Sequence, residues 1–97
     1  MKLFAVIRTR GSAWQPSLTL EQQRDWNAHA TFMNALASDG FVLLGGPLEG
    51  TPDILLIARA AGVEEIATRL QDDPWTTSGL LRIAQIAPWT LRLGKLP

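Results

Sequence analysis

One short segment constrains this chain more than any other: Asp53-Ile54-Leu55-Leu56-Ile57-Ala58-Arg59. An apolar run this short, bounded by charge, suits a buried strand better than a helix. Successive side chains of a strand point to opposite faces, so this run is apolar on both. A chain of 97 residues buries roughly 60–65% of its unfolded surface, enough for one modest core. Its own helices can cover one face of a sheet, and something else must cover the other. The expectation is a second copy, packed sheet against sheet about a two-fold axis as a homodimer. The rival cover is an irregular segment of the same chain, residues 10–18 or 93–97.

The other elements fall into place around that strand. Leu3-Phe4-Ala5-Val6-Ile7, within residues 2–9, reads as a first buried strand, and Gly11, Ser12 and Pro16 mark a loop after it. A helix is expected from Thr19 or Leu20 to Ser38, stopped by Asp39-Gly40, with Trp26, Ala30, Met33, Leu36 and Ala37 on one apolar stripe. Phe41-Val42-Leu43-Leu44 reads as a second strand, and residues 45–52 as a turn-rich connection. Val63, Ile66, Ala67 and Leu70 predict a second helix, with Glu64 and Glu65 in its first turn and a stop at Asp72-Asp73, ahead of Pro74. Residues 80–93 form a final strand region, interrupted at Pro88, which cannot donate to a ladder. The order is β-α-β-β-α-β. That is the split βαβ arrangement of the ferredoxin-like α+β class, a four-stranded antiparallel sheet with two helices on one face. No repeat or low-complexity tract divides it, so residues 1–97 read as one domain.

Charge and composition narrow the function classes. Lys plus Arg and Asp plus Glu are nine each, a balance that argues against non-specific nucleic-acid or anionic-membrane binding. The absence of cysteine excludes disulfides, thiolate chemistry and thiolate-held metal, and a single histidine excludes a His-rich metal site. The opening apolar run is broken at Arg8 and is too short for a signal peptide or a membrane span, so a cytoplasmic protein is the expectation.

Two residues carry the candidate chemistry. His29 falls inside the apolar stripe, between Trp26 and Met33. It is either a packed histidine bonded to a carbonyl or a general acid/base in a semi-enclosed pocket, a role its intrinsic pKa suits. Asp73, followed by Pro74 and Trp75, is either an N-cap with proline at the first helical position or the carboxylate that orients the imidazole. Asp25, four residues before His29, is a competing local partner. Gly45-Gly46-Pro47 lacks the spacing and the Lys-Ser/Thr of a phosphate loop. Arg24, Arg82 and Arg92 could meet an anionic group, though exposed arginines are usually solvated. The four tryptophans suit a ligand pocket, a core or an interface equally well.

Taken together, Trp26-Asn27-Ala28-His29, Ala35-Leu36-Ala37-Ser38-Asp39-Gly40, Leu44-Gly45-Gly46-Pro47-Leu48, Asp72-Asp73-Pro74-Trp75, Ser78-Gly79-Leu80 and Pro88-Trp89 resemble the YCII-related family of the dimeric α/β-barrel superfamily. The resemblance spans nearly the whole chain. It implies a ferredoxin-like protomer, a dimer built through the sheets, a pocket between helices and sheet, and a histidine–aspartate pair that falls on His29 and Asp73. Gly46 and Pro47 would sit at the pocket rim. The short connection at residues 49–52, with Trp14 and Pro16 in the first loop, departs from the family pattern.

The leading reading is a dimeric, cofactor-free, metal-free acid/base catalyst acting on a small organic molecule by proton abstraction, elimination or isomerisation. His29 and Asp73 are its catalytic pair, and Trp26, Met33, Gly46, Pro47 and Trp75 its substrate-binding residues. A non-catalytic small-molecule-binding or interaction module with a structural His29 is the alternative. Haem-linked oxygen chemistry, with His29 as an axial ligand, is a third.

Overall fold

The computed structural model describes residues 1–96. Four strands, β1 (Lys2–Arg10), β2 (Val42–Pro47), β3 (Asp53–Ala60) and β4 (Leu81–Trp89), form one sheet in the order β2-β3-β1-β4. All three pairings are antiparallel. Helix α1 (Trp26–Ser38) joins β1 to β2, and α2 (Val63–Leu70) and α3 (Pro74–Thr77) join β3 to β4. This is the ferredoxin-like topology, with the two greasiest strands, β1 and β3, at the centre.

Alternation along β1 sorts its side chains. Phe4 and Val6 are buried beneath the helices with Leu56, Ala58 and Ala60 of β3, and Leu36, Ile66 and Leu70 close over them from α1 and α2. Each large apolar side chain buried there contributes about 1.5–3 kcal/mol. A second cluster, Trp14, Trp75, Leu80 and Leu81, sits at the α3 end of the same layer. The next residue on the Phe4–Val6 face is Arg8, only 1% exposed.

Three expectations are corrected. The helix begins at Trp26, not at Thr19 or Leu20, because a single 3-10 turn (Leu20–Gln22) is followed by Asp25 in the left-handed region at φ 60°. Gln23, buried in that turn, donates to the carbonyls of Gln15 and Leu18 and accepts from the Gln15 N–H, which ties the first loop down instead of continuing a helix. Strand β2 runs on to Pro47, so Gly45-Gly46-Pro47 belongs to an edge strand and not to a turn. Strand β4 passes through Pro88, which an edge position tolerates. The irregularity of β4 lies instead opposite Ile7 and Arg8, where the register slips by one residue.

The far face of the sheet is apolar at its centre and carries Arg59 and Gln85 beside that centre. Cross-strand partners share a face, so Leu3, Ala5 and Ile7 stand there with Ile57, Leu44, Ala87 and Trp89. Leu44 is 43% and Trp89 38% exposed. The first loop does not cover them: Gly11 and Ala13 donate to the Leu80 and Gly79 carbonyls, and Trp14 packs on Trp75 among the helices. No helix among the described residues is long and apolar enough to cross a membrane.

Candidate active site

Helix α1 carries His29 one turn from its start, and β1 carries Arg8 to the floor beneath it. The α2–α3 connection supplies Asp73. Its Oδ1 caps α3 by accepting from the Trp75 N–H at 3.0 Å, as expected of an Asp-Pro start. The same carboxylate lies 2.9 Å, through either oxygen, from His29 Nδ1. Its Oδ2 also accepts from Arg8 Nη1 at 2.8 Å. The capping and pairing readings of Asp73 therefore describe one side chain. Asp25 is not the partner of His29; its carboxylate turns to Arg24 at 3.8 Å.

Asp73 is fully buried. Burial is the largest influence on its carboxyl and pushes the pKa up. Hydrogen bonds from His29, the Trp75 backbone and Arg8 outweigh it, so the carboxyl lies below its ordinary value. A carboxylate so held can only accept, which puts the proton of the imidazole on Nδ1 and leaves Nε2 its lone pair. Nε2 takes no partner among the described residues, and His29 lines a cavity of about 280 Å³.

The indole of Trp75 lies flat against the imidazole, ring centres 3.8 Å apart and planes within 5°. Its Nε1–H donates to the Arg24 carbonyl at 2.6 Å, and Trp14 and Trp26 pack around it at 5.5 and 5.8 Å. The imidazole is thus fixed by a bond at Nδ1 and a wall along one face.

Of the residues expected to bind substrate, Trp26, Met33, Gly46 and Pro47 line the cavity with His29. Trp75 is fully buried behind His29 and is not part of the cavity wall. Trp14 also lies away from it. The two rim glycines differ: a Cβ on Gly45 would stand 2.7 Å from Leu56 Cδ2, whereas one on Gly46 meets nothing within 4 Å. Sequence reasoning weighed Arg24, Arg82 and Arg92 as anion ligands, and none of them lines the cavity. It missed Arg8, although a signal was present: Arg8 follows Phe4 and Val6 at strand period, a charge on the apolar face.

A ferredoxin-like fold with a histidine-lined cavity between helix and sheet edge defines the class. The fold is similar to that of 5-chloro-2-hydroxyhydroquinone dehydrochlorinase (TftG) from Burkholderia phenoliruptrix AC1100, whose structure was solved with 2,5-dihydroxybenzoquinone; the TM-score is 0.64 and the identity 22%, over 95% of each chain. No model of a known protein family matches the chain, and no curated protein matches it in sequence.

Proposed function

We propose that the protein is an enzyme of acid/base chemistry on a small organic molecule, with His29 as the proton-transfer group and Asp73 as the residue that holds it. The observation that carries this reading is an imidazole in a cavity wall whose Nδ1 is committed to a buried carboxylate while Nε2 stands without a partner. Nε2 takes a proton from a carbon or oxygen acid of the substrate, and the Asp73 carboxylate stabilises the imidazolium that forms. The electron pair left behind either expels a group from the neighbouring atom or accepts the proton back elsewhere, giving elimination or isomerisation. No electron is exchanged in these steps, so the proposal calls for no redox cofactor.

A volume near 280 Å³ lies at the small end of ligand sites and suits a one-ring molecule rather than a tetrapyrrole such as haem. Trp26 and Met33 supply apolar wall, and Gly46 and Pro47 form its rim. The dehydrochlorination named for TftG is an example of the elimination proposed here, on a ring of that size.

The sheet's far face supports a homodimer, with Ala5 and Ile57 on its central strands and Leu44 and Trp89 on its edge strands. The test of function is a panel of single-ring carbonyl and enol compounds followed by solvent deuterium uptake into exchangeable C–H positions. His29→Gln is expected to lose about 10²–10⁴-fold in rate while remaining folded. A compound turned over equally by the parent and His29→Gln would refute His29 as the proton-transfer group, and a panel in which no compound is turned over or exchanged would leave a binding module with a structural histidine.

A further inference from the structure

The proposed pair leaves Arg8 unexplained. A guanidinium only 1% exposed sits on the floor of the cavity, which the apolar side chains of Met33, Ile54, Leu56 and Leu81 also line. Its Nη1 donates to Asp73 at 2.8 Å and its Nη2 to Thr76 Oγ1 at 2.7 Å, while Nε has no partner among the described residues. Thr76 Oγ1 in turn donates to the Leu70 carbonyl at 2.9 Å, so the far end of the guanidinium is anchored to the end of α2. A core that only needed filling would not carry an ion with one donor unsatisfied, since that desolvation is costly.

We propose that Arg8 is a positioning residue that sets the charge of the site: it cancels Asp73, so that protonated His29 gives the cavity a net positive charge and the cavity prefers its ligand as an anion. A histidine–carboxylate pair alone would run between −1 and 0. With Arg8 the cluster runs between 0 and +1, and the anion left by proton abstraction meets a cation.

The surroundings contribute nothing that undoes this. Of the charged groups, the α2–α3 connection brings Asp73 to His29, and β1 brings Arg8, which meets the pair through Asp73. On its own helix, Asp25 lies one turn earlier, half exposed beside Arg24. The cavity residues of β2, β3 and β4 are Val42, Gly45, Gly46, Pro47, Ile54, Leu56 and Leu81, all uncharged, and no carboxylate is among the lining residues.

The inference rests on the functional reading above, but its test needs no substrate, so the two fail separately. Labelled protein is titrated while the Asp73 carboxyl carbon is followed by NMR, in the parent, Arg8→Met and Arg8→Lys. In Arg8→Met the Asp73 midpoint is expected to rise by about one pH unit or more, because a cationic donor is gone and burial remains. Arg8→Lys should return it most of the way. Benzoate and benzamide, one-ring probes that differ by a charge, are then compared at about pH 6 through their effect on the His29 ring protons. The parent is expected to bind benzoate at least about ten times more tightly than benzamide, and Arg8→Met to lose that preference. Should Arg8→Met not fold, Thr76→Val replaces it and is expected to shift Asp73 in the same direction by a smaller amount. An Asp73 midpoint that does not move in the variant used, or a parent that shows no preference for benzoate, overturns the proposal.

Discussion

Asp73→Asn is the change whose consequence can be worked out furthest. The asparagine keeps an oxygen for the Trp75 N–H, so the cap on α3 survives and only the charge is removed. What remains is a guanidinium almost wholly out of water, facing a neutral amide. Breaking a buried ion pair from one side costs about 3–5 kcal/mol, because the other charge is left uncompensated. A domain of this size holds about 5–15 kcal/mol in all. Each kcal/mol is worth about 4–8 °C in its melting temperature, so Asp73→Asn should melt at least about 12 °C below the parent. The sharper consequence is one of sign. Adding Arg8→Met to Asp73→Asn removes a further native group, yet it also removes the orphaned cation. The double variant should therefore be more stable than Asp73→Asn, by about 2 kcal/mol. Urea unfolding followed by tryptophan fluorescence at one fixed protein concentration measures all four corners of this cycle. A double variant no more stable than Asp73→Asn would refute the account of the Arg8–Asp73 pair.

The Asp73 carboxyl lies below its ordinary value in the folded chain, so its stabilising contribution is complete above about pH 4 and is lost as the pH falls through the lowered value. Acid titration of the parent should show that loss, and Asp73→Asn should lack it. Gly11→Ala would bring a Cβ to 2.2 Å from the Gly79 carbonyl oxygen, a backbone clash; a cost above about 2 kcal/mol is expected by urea unfolding. Leu44→Glu places a charge on the apolar sheet face and should convert a dimer in sedimentation equilibrium to monomer without loss of helix by circular dichroism, whereas a parent already monomeric at micromolar concentration removes the dimer.

Much of the fold was legible because the strands are short apolar runs with charged or turn-forming ends. β1 and β3 could be read directly from Leu3–Ile7 and Ile54–Ala58. The missed boundaries share a cause: tertiary contacts outweighed local propensity. The 19–25 stretch has a helical composition, but Gln23 gains more by bonding the carbonyls of Gln15 and Leu18 than by joining a helix. Gly45-Gly46-Pro47 reads as a turn in any one-dimensional scheme, and it is strand only because β3 pairs with it. Pro88 breaks a central strand but not an edge, and strand order is not written in local pattern.

The candidate site was half legible. His29 on an apolar stripe and Asp73 before Pro74 each stood out, but the sequence could not choose between Asp73 and Asp25, 44 and 4 residues away. That choice depends on where α3 docks against α1. Arg8 went unnoticed because a charge bounding an apolar run normally marks its end. The period-two spacing from Phe4 and Val6 was the signal that it pointed inward instead.

The two rim glycines face opposite ways. A Cβ on Gly45 would point to the helix side, against the Leu56 methyl that borders the cavity, while one on Gly46, paired with Leu55, would point to the other face of the sheet into open space. Ala, Ser, Val or Phe at residue 46 would therefore build outward from the sheet and leave His29, Asp73 and Arg8 as they are. A selection library confined to that codon would retune how two sheets fit together, whereas one at residue 45 would press on the wall that the substrate meets.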